Sequence, residues 1–407
     1  MLNKPKLTAL LLVPLLAFLV LKGILPGFTI IQTDFPNYYT SGSIARTGEG
    51  VERLYDDEWF QDQIHEHGMP VPGKFSPFPP TTAILFIPFS YLAPLAAQQA
   101  MNVLNIIFLL CAIYILSRLF SATLLESTVF VLLSGWGLAN NFRFGQLYLA
   151  LTLSILLGFY LQERQKQTAA GFSFGLLLPV KYFSVVMVIH SMIQKNWRVV
   201  LSALITTAVI CLLSIWILGW HIHAEFLRSV IAEHLQSNLS QQNPFSLNFQ
   251  SFDSLLRRLF LFDENLNPQP LYASHVLFLI SKIICVGGAV VAAVYSLYHL
   301  NKKESGLQVA VLSLLVLLIA PATATYHFVL LWLPVGILLQ HFLAEHRTNH
   351  FLFTLVLYTG IGFFPYSFFR RFEDEGVLTV LAYPRLLLLA ALFILAILQS
   401  SRLKKIA

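Results

Sequence analysis

Charge is what this sequence has least of. Of its 407 residues, 11% are Asp, Glu, Lys or Arg and 57% are hydrophobic, whereas soluble domains are about 25% charged. A water-soluble fold of this length needs more polar surface than that, so the soluble class is excluded. Cysteine is nearly missing too. Cys111, Cys211 and Cys285 each stand inside an apolar run, which leaves no disulfide framework and no metal-type spacing, only small hydrophobes. No Asp-x-Asp pair stands beside an apolar run, no internal repeat or low-complexity stretch occurs, and no soluble domain is set apart. The net charge of +6 is no nucleic-acid footprint, because Lys and Arg fall in short clusters between apolar runs.

What the chain does contain is apolar runs of spanning length, about 20 residues each, from end to end. They predict an all-α polytopic membrane protein of roughly 11–13 hydrophobic helices, a single membrane domain over 1–407. The first run, LTALLLVPLLAFLVLKGILPGFTII, is long for a signal peptide and lacks a small-residue cleavage site, so it reads as a retained helix. Lys4 and Lys6 before it place the N-terminus in the cytoplasm. Residues 31–80 then form a first external loop, mostly acidic. Further spans are expected near 97–117, 122–139, 146–161, 198–220, 273–299, 306–321, 328–344, 350–367 and 379–400. Segment 168–193 has basic flanks on both sides and reads as a short-helix hairpin bent near Pro179; one straight span also fits and would reverse every later loop. On the hairpin parity a large loop, 221–272, is external. Asp34, Arg143 with Gln146, Tyr326 with His327, and Arg370 with Arg371 then share that face. Arg370 and Arg371 break the charge rule there, softened by three nearby acids. Polar groups gathered at one membrane surface point to a site.

The succession DFPNYYTSG, LYDDEWF, FSPFPPTTAILFIPFSYLAP, FGQLYLALTLSILLGFYL, AAGFSFGLLLPVKYF, SLNFQSFDSLLRR and PATATYHFVLLWLP resembles glycosyltransferase family 87. These are membrane enzymes of the GT-C architecture that take sugars, usually mannose, from a polyprenyl phosphate. The likeness covers most of the chain, and its specificity lies in the order of motifs that are individually weak. Departures stand at Phe78 (family Tyr), Tyr148 (family Asn) and Ser184 (family Pro), and Asn248-Phe249-Gln250-Ser251 is a variant of an Asn-Gln-Ser pattern. The resemblance implies a GT-C fold and an inverting transfer of mannose, or a related sugar. It further implies a lipid-linked or cell-envelope glycan as acceptor, on the non-cytoplasmic face of a bacterial inner membrane. The same resemblance implies that Asp34 is the general base.

One carboxylate can suffice for such chemistry. Glycosidases need a second carboxyl to protonate a poor leaving group, but a polyprenyl phosphate departs as a stable anion, so only the acceptor proton must be removed. The competing reading is that Asp34 caps the helix FPNYYTSG. The donor phosphate needs cations; candidates are Lys181, Arg143, Arg257, Arg258, Arg370 and Arg371. Lys181 is the sharpest because it lies in an apolar run, although it can equally snorkel to an interface. Arg257 and Arg258 also suit the wet side of an interfacial helix. His327 can bind the donor or assist Asp34, with Tyr326 beside it; an ordinary interfacial histidine is the plain alternative. Tyr38 and Tyr39 can stack on sugars or anchor helices. Gln146, Asn248 and Gln250 offer amides to sugar hydroxyls or serve the fold. His65-Glu66-His67 and His221-Ile222-His223 lack further ligands at zinc spacing, so neither metal nor cofactor is expected. The Asn238-Leu239-Ser240 sequon carries no weight without a eukaryotic secretory context. The rival function is a lipid or sugar transporter or flippase, whose binding site tends toward the midplane between repeated halves.

Overall fold

A computed structural model of the chain describes residues 4–232, 243–300 and 304–406. Residues 233–242, which include the sequon and part of the expected 221–272 loop, lie outside the described residues, as do 301–303 of the link NKKESG. Among the described residues there is no β-strand. Six helices among the described residues are long and apolar enough to cross a membrane: Leu10–Thr29, Pro94–Leu119, Trp197–Leu218, His275–His299, Thr325–Ala344 and Pro384–Arg402. Shorter apolar helices accompany them. The chain is an all-α polytopic membrane protein. Contacts divide it into two compact units, residues 1–132 with 138–240, and residues 133–137 with 241–407.

In the first unit, α1 (Lys4–Leu19) runs through a π-turn at Val20–Ile24 into α2 (Leu25–Thr29). The acidic stretch that follows is no open loop. It folds into α3 (Phe35–Thr47) and α4 (Asp57–Glu66), with Phe35, Tyr38, Phe60, Ile64 and Phe75 fully buried. Asp56 caps α4 by accepting from the Trp59 N–H at 3.2 Å, an ordinary N-cap use of Asp. Next come α5 (Thr81–Phe86) and α6 (Pro94–Leu119). The 26 residues of α6 rise about 39 Å at about 1.5 Å each, enough for a hydrocarbon core of about 30 Å.

The span expected at 122–139 is two pieces, α7 (Leu124–Leu132) and α8 (Trp136–Arg143). Gly135 breaks it with φ +51°, a left-handed conformation open to residues without a Cβ. After α9 (Tyr148–Glu163), residues 167–193 also form two pieces, α10 (Gln167–Leu176) and α11 (Val185–Ile193), interrupted around Pro179. Proline supplies no N–H there and clashes with a continuing helix.

Helix α10 is held on two sides. Ser173 Oγ donates to the Ser154 carbonyl of α9 at 2.8 Å. On the other side it crosses α12 (Trp197–Leu218) through Gly171 and Gly175. A Cβ on either would meet the Val199 or Ala203 carbonyl oxygen at 2.3 or 2.4 Å. This is small-xxx-small packing, where missing side chains let backbones touch, and GFSFG is its sequence signal.

The second unit contains α13 (Phe252–Phe260), α14 (His275–His299), α15 (Ser305–Ile319), α16 (Trp332–Ala344), α17 (Thr348–Phe363) and α18 (Pro384–Ile406). Helix α13 is tied by charge: Asp253 accepts from Arg257 at 2.6 Å and also binds Lys282 of α14. Arg258, 6% exposed, bonds the Phe245 carbonyl, Glu373 and Asp374. Breaking such a buried pair costs more than the pair contributes, because it strands a charge.

The α10–α12 crossing predicts that Gly175→Val destabilises the first unit by about 1–3 kcal/mol, since the new side chain would have to displace backbone. The measurement is the thermal unfolding midpoint of detergent-purified protein. A midpoint equal to that of the parent would refute the close approach.

Candidate active site

The site forms where α2 stops. A helix end leaves its last carbonyls without intrahelical donors, and α6 supplies them. Gln98 Nε2 donates to the Gly27 and Ile30 carbonyls at 2.8 and 2.9 Å. Asn102 Nδ2 reaches Gly27 at 2.8 Å, and Gln99 Nε2 reaches Phe28 at 2.9 Å. Gln98, Asn102 and Asn105 stand four and three residues apart, so they share one helix face; all three are fully buried. Asn105 Nδ2 donates onward to the Gln146 carbonyl at 3.3 Å. One face of α6 therefore fixes both the chain entering Asp34 and the turn that carries Gln146. None of the three is among the expected site residues; the signal for them is three amides at helical spacing in an apolar run.

Asp34 precedes α3 with φ 79° and ψ −51°, a sparsely populated conformation for a residue with a Cβ that costs of order 1–3 kcal/mol. Its side chain makes no capping bond to α3, which answers the capping alternative. Instead Oδ2 accepts from Gln146 Nε2 at 2.6 Å. Gln146 Oε1 in turn accepts from the Tyr38 hydroxyl at 2.9 Å. Burial pushes the Asp34 carboxyl above the ordinary carboxylate range, opposed first by the positive charge of Lys181 and then by the Gln146 hydrogen bond.

Lys181 follows the break after α10. Its N–H closes a turn on the Leu177 carbonyl at 2.9 Å, and the neighbouring Pro179 carbonyl accepts from the Thr81 hydroxyl. The ammonium sits over three rings: Phe78 at 4.2 Å, Tyr148 at 5.3 Å and Tyr38 at 5.9 Å. Such contacts are worth about 0.5–2 kcal/mol each, more where water is excluded. Phe78 is itself anchored, its carbonyl accepting from the Tyr55 hydroxyl at 2.8 Å. Among the described residues neither Asp34 nor Lys181 takes part in an ion pair within 4.0 Å. Both are half-buried.

Of the expected residues, Asp34, Tyr38, Gln146 and Lys181 thus come together. Tyr38 is fully buried, its ring stacked on Phe86 at 4.8 Å. Tyr39 turns away; its hydroxyl donates to the Leu92 carbonyl at 2.8 Å and its ring meets His67 edge-on. Arg143 Nε donates to Gln32 Oε1 at 2.6 Å, bracing the approach to Asp34. In the second unit, Gln250 is enclosed by backbone: Nε2 donates to Leu247 and Ala382 carbonyls, and Oε1 accepts from the Arg385 N–H. Asn248 is exposed. Arg257 and Arg258 are engaged in the ion pairs above. Arg370 is exposed and bonds Glu373 at 3.1 Å, while Arg371, also exposed, lies over Phe368 and Phe372. His327 is 7% exposed, and its Nδ1 accepts from the Ala324 N–H at 3.0 Å, which puts the proton of a neutral ring on Nε2. Tyr326 lies edge-on to it at 4.9 Å.

A buried cation was missed. Arg385, 2% exposed, donates to Thr325 Oγ1 at 2.6 Å and the Ile361 carbonyl at 3.1 Å, steadying the turn before His327. An arginine inside YPRLLLLA was its signal. Of the histidine pairs, His65 meets Gln61, and His223 bonds Ser214 and the Gly219 carbonyl. Among the described residues no group of three His, Cys, Asp or Glu is placed to hold a metal.

The strained backbone makes a prediction. Asp34→Gly is expected to be more stable than Asp34→Ala by about 1 kcal/mol, because glycine adopts positive φ freely. Thermal unfolding of the two variants compares them directly, and an alanine variant of equal or higher stability would rule the strain out.

Comparison with known proteins completes the picture. Residues 77–321, more than half of the chain, match the model of glycosyltransferase family 87. Over 293 residues the chain is 24% identical to the polyprenol-phosphate-mannose-dependent alpha-(1-2)-phosphatidylinositol mannoside mannosyltransferase of Mycobacterium tuberculosis. That alignment covers 67% of this chain and 63% of the relative, just under two thirds of its length. No solved structure matches. Asp34 lies before the matched region and Lys181 within it, in one compact unit. The chain belongs to glycosyltransferase family 87.

Proposed function

We propose that this protein is an inverting GT-C glycosyltransferase that moves mannose from a polyprenyl-phosphate donor to a lipid-linked or cell-envelope acceptor. The reaction takes place on the non-cytoplasmic face of a bacterial inner membrane. The mannosyltransferase relative, whose name specifies a polyprenol-phosphate-mannose donor, supports the donor class. One observation carries the mechanism. Asp34 is turned away from its helix and held by Gln146 in an enclosure whose positive charge is Lys181.

In this mechanism the acceptor oxygen attacks the anomeric carbon as its proton passes to the Asp34 carboxylate. The bond from that carbon to the phosphate oxygen breaks on the opposite side. Its electron pair leaves with the polyprenyl phosphate, whose negative charge Lys181 steadies. The product carries the inverted configuration and Asp34 ends protonated. His327 and Tyr326 belong to the second unit, and their part in the reaction rests on the sequence resemblance. The arginines already paired with acids are weaker candidates for phosphate, since a donor would first have to displace their partners.

The test is transfer of radiolabelled mannose from polyprenyl-phosphate mannose into a lipid extract by purified protein. Asp34→Asn should lower turnover by about 10²–10⁴-fold while donor binding persists, and Lys181→Met should raise the donor KM about tenfold or more. An active Asp34→Asn enzyme would end the general-base assignment. Label carried across liposomes with no new product would replace transfer with transport.

The pH dependence has a definite sign. Asp34 must be ionised to act, so activity falls as pH drops through its folded pKa. Burial raises that value, so the acid limb should lie above the ordinary carboxylate range, and a pH–rate profile with its acid limb at the free-aspartate position would contradict this.

A further inference from the structure

We infer that Gln146, locked in one orientation by Tyr38, positions the Asp34 carboxylate so that Oδ1 alone is offered to the acceptor hydroxyl. The inference rests on the general-base reading above and assigns two further residues to it. An ionised carboxylate only accepts hydrogen bonds, whereas a primary amide has one accepting and one donating end. The carboxylate itself selects Nε2, at 2.6 Å, and the Tyr38 hydroxyl fastens the other end of the amide by donating to Oε1 at 2.9 Å.

Each member of the chain is immobile. Gln146 is 1% exposed and Tyr38 fully buried. The backbone of Gln146 is tied on both sides, its N–H to the Asn141 carbonyl at 2.9 Å and its carbonyl to Asn105 at 3.3 Å. The Tyr38 ring is clamped parallel to Phe86 and tilted against Phe78. Among the described residues, Oδ1 of Asp34 accepts no hydrogen bond, so the carboxylate keeps one oxygen fixed and one available. A hydrogen bond to the charged form also favours that form, offsetting part of what burial does to the carboxyl. Both side chains are buried, Tyr38 bonded to Gln146 and Gln146 to Asp34. They are positioning residues, acting through the aspartate.

The experiment measures turnover and donor KM against pH for full-length purified protein, with radiolabelled polyprenyl-phosphate mannose as donor and a lipid extract as acceptor. The variants are Gln146→Leu, Tyr38→Phe and the double variant. Gln146→Leu should reduce kcat at neutral pH about tenfold, leave the donor KM within about threefold, and move the acid limb upward by about one pH unit. Tyr38→Phe, which removes one hydroxyl, should move the limb in the same direction by less. Adding it to Gln146→Leu should change nothing further, because Tyr38 acts only through Gln146.

A fall in kcat with an unmoved acid limb would overturn the inference, as would a donor KM raised more than kcat is lowered, which marks a sugar ligand. If Gln146→Leu does not fold, the limb of Tyr38→Phe decides alone: an unmoved limb refutes the orientation. The two readings fail separately. An active Asp34→Asn enzyme removes the base itself, whereas an inactive one beside a wild-type pH profile for Gln146→Leu removes only the positioning role.

Discussion

The hydrogen bond from Gln146 to Asp34 is the contact on which the site depends. A carboxylate held away from water is costly unless something answers its charge. Here one amide N–H answers it at contact distance and one ammonium does so from farther off. The backbone at Asp34 is held in a left-handed conformation, and its side chain declines the capping position its sequence place invites. Strain of this kind persists only where surroundings over-determine it. The surroundings are the amides of α6, which grip the chain just before Asp34 and, through Asn105, the turn that carries Gln146.

Lys181 shows the complementary arrangement. Its partners at close range are ring faces rather than carboxylates. Rings attract a cation without neutralising it, so the positive charge stays available to an arriving anion. The arginines of the second unit differ. Arg257 is paired with Asp253 within α13, and Arg258 joins that helix to Glu373 and Asp374.

Much of this was legible in the sequence. Scarce charge and recurring apolar runs identify a polytopic helical membrane protein, because the bilayer imposes length and composition on every span. Asp34 stood out as an acid at the edge of an apolar run, and Lys181 as a base inside one. What the sequence hid was partnership. A ring and an amide suit sugars or serve the fold, and the sequence alone does not show that Tyr38 meets Gln146, and Gln146 meets Asp34, across 108 and 112 residues of chain. No local pattern encodes contacts that distant. The α6 amides carried a local signal, the helical spacing of Gln98, Asn102 and Asn105, which an eye fixed on charges passes over. The interruption at Gly135 was likewise invisible, since apolar residues continue on both sides of it.

The glycine crossing of α10 on α12 reaches beyond stability. Backbones in contact leave no slack for sliding, and the segment after α10 is further tethered where Thr81 bonds Pro179. The ammonium at its end is therefore fixed in advance, and in the reaction proposed above it would forfeit little freedom on meeting a phosphate. A cation held that firmly would recognise a headgroup by its position and leave the fitting to its guest.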